Sequence, residues 1–360
     1  MQKHLKFIGI TGTNGKTTTT YLVQSILQSA GYKATIIGTL TGKLTTPSPW
    51  DIQKAICNSY QKDDDWIVME VSSHGIQQNR VQGIYFTIKA LTNITQDHLD
   101  YHKTMKAYKK VKLDWFFAGD SHKASLWPDL YKDKRVHTTK IHGLSDKLIN
   151  KKNDYQSFYD NNRQLASNIC KCIGIDNKII KQGLETAPVV PGRFELVSCG
   201  QSFPIVIDYA HTPDGLEKVL AEARFLMKKN HKTGKLILVF GCGGDRDQGK
   251  RPKMGRIATK MANIVIITSD NPRTEDPDLI IQDILNGIDH KKKNLNFPKN
   301  IIERNVAVEK DRAKAIHNAL SIATENDLVL IAGKGHEDYQ ILKDKIIHFS
   351  DKEEIEKYFL

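Results

Sequence analysis

Residues Gly12–Thr17 read GTNGKT, directly after an apolar run and directly before a helical pattern. Those residue types suit a polyphosphate. Glycines at 12 and 15 let backbone N–H groups converge on one anion, and the start of a helix adds partial positive charge. Lys16 can neutralise phosphate oxygens, and the Thr17 hydroxyl suits Mg2+. The strict GxxxxGK[ST] spacing fails, because Ile10 stands where its first glycine would be. A glycine turn alone would be an ordinary strand-to-helix connection; the Lys-Thr pair and the strand before it decide for phosphate. The expected ATP contacts in this stretch are Gly12, Thr13, Asn14, Gly15, Lys16, Thr17 and Thr18.

Two further stretches carry acids and imidazoles. MEVSSHG places Glu70 at the end of an apolar strand, where the carboxyl ends of parallel strands line a ligand crevice and an acid can hold a metal. The competing reading is a capping or buried Glu. NITQDHLDYH, residues 93–102, gathers two His and two Asp, which suits a metal site. A helix N-cap by Thr95 or Asp97 explains the same residues equally well.

The second half carries IDYAHTP (207–213), VFGCGGDRDQGKRP (239–252), SDNPR (269–273) and AGKGHEDYQ (332–340). Each directly follows a strand-like run, so in a parallel sheet all four loops gather at one edge. The glycine-rich loop can approach phosphate or ribose closely and presents Asp245, Arg246, Asp247, Lys250 and Arg251; a solvated polar loop is the plain alternative.

The elements that must position these residues are short and alternate. Strand-like runs at Phe7–Thr11, Ala34–Ile37, Trp66–Val71 and Ile88–Leu91 are separated by helical patterns at Thr17–Ala30 and Ile52–Tyr60. A second series has strands at Ile205–Asp208, Leu236–Phe240, Ile264–Thr268 and Leu328–Ile331, with helices at 213–229, 252–262, 277–288 and 310–324. This alternation predicts an α/β protein with mainly parallel sheets covered by helices on both faces. Residues 120–160 are polar with weak periodicity, and PVVPG at 188–192 is a natural hinge. The expected domains are 1–191 and 192–360.

A chain of 360 residues is long enough for two such cores. Its 53 basic and 41 acidic side chains leave a net charge of +12, spread along the chain apart from short runs such as Lys291–Lys293. That charge steers small anions such as nucleotides to a cleft, and with no nucleic-acid motif present we expect no nucleic-acid partner. The five cysteines, at 57, 170, 172, 199 and 242, form no CxxC pair and are expected to be reduced thiols. No leader-like segment or long apolar run is visible, so the expectation is a cytoplasmic protein with no membrane contact.

GTNGKTTTT, MEVSSHG, TNITQDHLDYH, DYAHTPD, FGCGGDRDQGKRP, DNPRTE and AGKGHEDYQ together resemble the ordered blocks of the Mur ligases, amide-forming enzymes of peptidoglycan precursor synthesis. The resemblance is to the type that adds diaminopimelate to a D-glutamyl carboxylate. It implies a P-loop-type central ATPase domain followed by a Rossmann-like C-terminal domain. It also implies ATP and Mg2+ as cofactors, an acyl phosphate, and release of ADP and phosphate. By position, the implied catalytic residues are Lys16, Glu70, His98 and Lys112, with Thr17, Glu70, His98 and a carbamylated Lys112 around Mg2+. Asn162, Arg193, Asp208 and His211 match further nucleotide contacts. Thr45, Thr46, Ser72, Gln78 and Arg80 match contacts to the acceptor, a muramoyl-dipeptide-like acid. Asp270, Asn271, Arg273, Gly333 and Glu337 match the pattern for meso-diaminopimelate, whose distal carboxylate an arginine can grip in bidentate fashion.

The chain also departs from that family. The usual N-terminal UDP-binding domain has no counterpart, the segment between Lys112 and Asn162 is short, and YDNNRQLASN lacks the glycine expected before its asparagine. Three readings therefore stand. The chain is an active ligase acting as a monomer on small molecules, a relative moved to another peptide acid, or a nucleotide-binding subunit whose partner supplies the missing domain. Retention of Lys16, Glu70, His98 and Lys112 favours an enzyme.

Overall fold

The computed structural model describes residues 4–143, 158–288 and 305–360. The Lys291–Lys293 run and the 144–157 part of the polar tract lie outside them. The chain forms two compact units, Met1–Thr95 with His102–Pro188, and Gln96–Tyr101 with Val189–Leu360.

In the first unit, strands β1 (Lys6–Thr11), β2 (Ala34–Ile37), β3 (Trp66–Glu70), β4 (Ile88–Leu91), β5 (His122–Ser125) and β6 (Ile141–His142) form one sheet. The order is β2-β3-β1-β4-β5-β6, and every pairing is parallel. Helices α1 (Lys16–Ser29), α2 (Pro49–Gln61), α3 (Ser73–Gln77), α5 (Met105–Phe117), α6 (Phe158–Lys171) and α7 (Asn177–Glu185) belong to this unit, while Leu99–Tyr101 of the short α4 (Leu99–His102) belong to the second. One face of the sheet buries Leu22, Val23, Ile26 and Leu27 of α1 with Leu165, Ala166 and Ile169 of α6. The other buries Ile52 of α2 against Ile37, Ile67 and Met69. Strands covered on both faces read as continuous apolar runs, which is why β3 and β4 are fully buried. Because β1 lies between β3 and β4, the order of the strands reverses beside it, and a crevice opens at its carboxyl end.

The polar tract starting at residue 120 is a correction to the sequence reading, since β5 within it is a paired strand of this sheet. Its sequence HKAS hides the strand because Lys123 is buried there. The Lys123 ammonium donates to the carbonyls of Gly119 (3.0 Å) and Ser121 (2.9 Å). Lys89, next door on β4, donates to Trp115 O (2.9 Å) and Ala118 O (2.8 Å), closing the end of α5. Burial, with Lys123 adding to it, pushes the Lys89 amine down to about 8.

The second unit has β7 (Glu195–Val197), β8 (Ile205–Asp208), β9 (Leu236–Phe240), β10 (Ile264–Ile267), β11 (Val306–Val308) and β12 (Leu328–Ala332) in the order β11-β10-β9-β12-β8-β7. All pair in parallel except the edge strand β7. Helices α8 (Pro213–Lys229), α9 (Arg251–Met261) and α10 (Pro277–Leu285) contribute to one core layer. The opposite layer holds α11 (Arg312–Ile322) and α12 (Asp351–Phe359). A hairpin of β13 (Tyr339–Leu342) and β14 (Lys345–His348) follows the loop after β12. Strands β8, β9, β10 and β12 run the same way, so the four motif loops share one edge of the sheet, as expected.

The sequence reading missed β7, whose ELV is short and half-covered, and α12, whose KEEIEKYF is mostly charged. What holds α12 is a fully buried ion pair. Arg312 donates through Nε and Nη2 to Asp351 (2.7 and 2.8 Å), and through Nη2 also to Ala332 O (3.1 Å) at the end of β12.

Candidate active site

In the first unit the loop between β1 and α1 is held open by its neighbour after β4. Asn93 O accepts from Thr13 N (2.8 Å), its Oδ1 accepts from Asn14 N (3.1 Å), and its Nδ2 donates to Asn14 O (3.0 Å). Thr92 Oγ1 donates to Asn14 O (2.7 Å). The approach is close enough that a Cβ on Gly12, at φ +145°, would lie 1.8 Å from Thr92 Oγ1, so only glycine fits. Gly15 takes φ 87° just before α1, and α1 has no side-chain cap at its N-terminus. Its first N–H groups therefore face the loop as donors for an anion. Lys16 Nζ folds back to Gly12 O (3.0 Å) and Thr13 O (2.9 Å), and Thr18 is buried in the first turn.

Behind the loop stand the oxygen donors. Thr17 Oγ1 donates to Glu70 Oε2 (2.9 Å), while Thr39 N donates to Glu70 Oε1 (2.8 Å). No group of three His, Cys, Asp or Glu that could hold a metal occurs among the described residues. A hydroxyl and one carboxylate, completed by phosphate oxygens, match the donor set of Mg2+, a hard cation usually held in that way. Lys112, on α5 and buried, donates to Gly12 O (2.9 Å) and Thr11 Oγ1 (3.4 Å), with its ammonium 5.1 Å from the centre of the Tyr108 ring. The Tyr108 hydroxyl meets Thr13 Oγ1 at 2.9 Å. Asn162 Oδ1 accepts from Thr19 Oγ1 (3.5 Å), and its buried Nδ2 has no hydrogen-bond partner, so the site holds an orphaned donor.

Thr45, Thr46, Ser72, Gln78 and Arg80 form one connected group. Thr46 Oγ1 donates to Glu70 O (3.0 Å) and accepts from Ser72 N (2.8 Å), and Ser72 Oγ caps α3 by accepting from Gly75 N (3.0 Å). Arg80 donates to Thr46 O (2.7 Å) and to Gln78 Oε1. Thr45 Oγ1 lies 3.1 Å from Thr39 Oγ1.

In the second unit, Asp208 ends β8 with Oδ2 accepting from Phe194 N (2.7 Å) and Oδ1 accepting from Ala210 N (2.8 Å). Burial raises its carboxyl, and the Arg193 guanidinium, stacked 4.4 Å from the Tyr209 ring centre, opposes that. His98, with φ 56°, has Nε2 3.2 Å from Asp97 Oδ2. Asp97 also faces Lys250 and His211, each at 3.9 Å. Burial works to raise Asp97, but His98, Lys250 and His211 outweigh it and hold the carboxyl well below the usual range. Burial, then Lys250, pushes the His211 imidazole down to about 4. Asp97 accepts from His98 N (2.9 Å) just before α4. Of the glycine-rich loop, Arg251 turns inward, paired with Glu275 and Asp283 at 2.8 Å each, so it braces the loop rather than facing a ligand.

Asp270, Asn271, Arg273, Gly333 and Glu337 come together as well. Asn271 Nδ2 donates to Glu337 Oε2 (2.8 Å), and its Oδ1 accepts from Ile341 N (2.9 Å). Gly333, at φ +116°, lies against Asp270, where a Cβ would sit 3.3 Å from Oδ2. Arg273 donates through Nη1 to Gly244 O (2.8 Å) and Asn271 O (3.4 Å). Burial raises the Glu337 carboxyl, Asp270 adds to that, and Lys334 opposes it.

Comparison with known proteins places these two units. Residues 10–172 match the Mur ligase middle domain, and residues 192–335 match the Mur ligase glutamate ligase domain. The UDP-N-acetylmuramoyl-L-alanyl-D-glutamate–2,6-diaminopimelate ligase of Clostridium botulinum is 41% identical, over 99% of this chain and 78% of its own length. The chain belongs to the Mur ligase family. The Vibrio vulnificus enzyme of the same name is 37% identical, over 97% of this chain and 76% of its own. A solved structure under that name superposes with a TM-score of 0.59 at 30% identity, covering 99% of this chain and 78% of that one. The folylpolyglutamate synthase/dihydrofolate synthase of Yersinia pestis shares the fold at 17% identity, with a TM-score of 0.66 over 92% of this chain and 86% of that one. As a Mur ligase the chain is an ATP-dependent ligase that forms an amide bond.

Sequence reasoning missed several residues of this Mur ligase. Asn93 and Thr92 sat in view within TNIT, but a backbone brace has no spacing signature. Tyr209 and Lys334 lay inside recognised motifs, yet only the fold shows Tyr209 Oη donating to Glu337 Oε1 (3.3 Å) and Lys334 buried beside it. No described helix is long and apolar enough to cross a membrane.

Proposed function

We propose that the chain adds meso-diaminopimelate to the D-glutamyl carboxylate of a muramoyl-dipeptide-like acceptor, using ATP. The observation that carries this reading is the grouping of Arg273, Asn271, Asp270 and Glu337. The described bonds of the Arg273 side chain run through Nη1, so its Nε–Nη2 edge can meet a carboxylate in bidentate fashion. Beside it, two carboxylates offer acceptors for an ammonium. An amino acid with a cationic and an anionic group at its far end matches that pair; lysine lacks the distal carboxylate.

In this reading the N–H groups of residues 13–17 and the Lys16 ammonium hold the ATP phosphates, while Asn162, Arg193, Asp208 and His211 meet the rest of the nucleotide. Thr45, Thr46, Ser72, Gln78 and Arg80 seat the acceptor. Its carboxylate oxygen attacks the γ-phosphorus, ADP leaves, and an acyl phosphate forms. The free amine then attacks the acyl carbon, phosphate departs, and the amine loses its proton as the amide forms. Thr17, Glu70, His98 and a carbamylated Lys112 would hold Mg2+, which supplies charge neutralisation of the phosphates. Lys112 as found, with its ammonium under Gly12, would exchange a cation for an anion on carbamylation. The domains are taken as residues 1–191 and 192–360, supported by the two family matches. The protein is taken as a cytoplasmic monomer.

The test is phosphate release from ATP with meso-diaminopimelate and, in turn, UDP-muramoyl dipeptide, muramoyl dipeptide or L-Ala-D-Glu. Turnover with diaminopimelate but not lysine is expected. ATP binding without turnover on any acceptor would instead support a subunit that needs a partner.

A further inference from the structure

In the cluster around Asn271 one buried cation, Lys334, faces the buried Asp270 carboxylate and the half-buried Glu337 carboxylate. Lys334 is fully buried, with Nζ 3.3 Å from Glu337 Oε2, 3.4 Å from Asn271 Oδ1 and 3.7 Å from Asp270 Oδ1. Asp270 Oδ1 is itself buried and has no hydrogen-bond partner, which leaves the Lys334 charge as its compensation. Glu337 is more fully held, by Asn271 and Lys334 on Oε2 and Tyr209 on Oε1. The nearby Arg312 is neutralised by its bidentate bond to Asp351. The other charged or titratable groups that act on Glu337 are Arg273 and Tyr339, and the Lys334 ammonium lies 5.5 Å from the centre of the Tyr339 ring.

We propose that Lys334 is a positioning residue of the amino-acid site: its buried ammonium binds Asp270 and Glu337 into one acceptor pair that receives the second ammonium of a diamino acid. This rests on the reading that Asp270, Asn271, Arg273 and Glu337 take the incoming amino acid. Two carboxylates this close repel each other in a buried site, and without a cation one of them takes up a proton. A protonated carboxyl loses the charge-assisted bond to an ammonium. In the fold the Lys334 ammonium opposes the rise that burial and Asp270 impose on the Glu337 carboxyl, and so favours its charged form for the substrate.

The experiment compares Lys334→Met, Glu337→Gln, the double variant and Arg273→Ala, each across pH with diaminopimelate and ATP varied separately. Lys334→Met is expected to raise KM for diaminopimelate at least ~tenfold at neutral pH, with KM for ATP within about twofold. The acid limb of its kcat/KM profile should move to higher pH by about one unit or more, because Glu337 then protonates more readily. In the double variant that limb should not move, and KM should match Glu337→Gln alone. If Lys334→Met fails to fold, the double variant, which removes the repulsion between the two carboxylates, should fold and decide the matter by the same comparison. An unmoved pH profile, or a double variant that is additive in KM, overturns the role of Lys334. Unchanged diaminopimelate kinetics in Arg273→Ala would overturn the amino-acid reading itself, a separate result.

Discussion

The Gly12–Thr17 loop of the first unit and the Asp270–Glu337 cluster of the second are built to meet charge by opposite means. Around Gly12–Thr17 the donors are mainly backbone N–H groups, set by left-handed glycines, a helix start and the Asn93 brace. Around Glu337 the work falls to side chains from three separate loops, with Asp270, Asn271 and Arg273 after β10, Lys334 and Glu337 after β12, and Tyr209 after β8. A backbone site depends on local conformation and tolerates changes in charge elsewhere. A side-chain site depends on the sum of its charges, so each member sets the state of the others.

That contrast can be pressed by experiment. The largest effect is expected from Lys16→Ala, which removes the loop's side-chain charge: a loss of ~10²–10³-fold in kcat, read by phosphate release, with diaminopimelate binding by calorimetry unchanged. A similar loss of diaminopimelate binding would break the separation of the two sites. Arg273→Ala comes next, with KM for diaminopimelate up ~10²-fold and ATP affinity intact. Asn93→Ala tests whether the loop is built from backbone. It should raise KM for ATP ~10-fold by freeing Thr13 and Asn14, as removal of a buried brace costs about 1–3 kcal/mol; an unchanged KM would mean that the loop holds its shape unaided.

The smallest effect concerns pH. His211 and His336 are both kept neutral in the fold, each pushed down to about 4, chiefly by burial. The unfolded chain takes up protons on them below its ordinary pKa near 6.5, while the folded chain does not until about 4. Stability should therefore fall as pH drops from about 6.5 towards 4, and be flat with respect to these groups above that window. Urea midpoints across that range, for the parent and for His336→Gln, measure it; an equal slope in both would remove His336 from the account.

Much of the architecture was legible. Ala34–Ile37, Ile88–Leu91, Ile205–Asp208 and Leu236–Phe240 are strands at the expected bounds, because buried parallel strands are short apolar runs between breakers. Helix bounds in the second unit differ by a few residues at most, as for 310–324 against Arg312–Ile322, where the Asp311 cap sets the start. The strand at His122–Ser125 was not legible, since its buried lysine spends its charge on helix-end carbonyls that no sequence pattern announces. Asn162 was legible only through family resemblance, and its orphaned amide is visible only in the fold.

The sequence by itself marked Gly12–Thr17 as a loop suited to phosphate, because a glycine turn between a strand and a helix carries its donors in its own backbone and needs only local conformation. It also placed the four second-unit motifs at strand ends, and parallel pairing gathered them on one edge. What only the tertiary structure decided is which of those loop residues share charge. Lys334 stands three residues from Glu337 in its own loop, but only the placement of β10 in the same sheet as β12 brings Asp270 to within 4 Å of it. Electrostatic coupling falls off with distance in space, and distance along the chain carries no record of it.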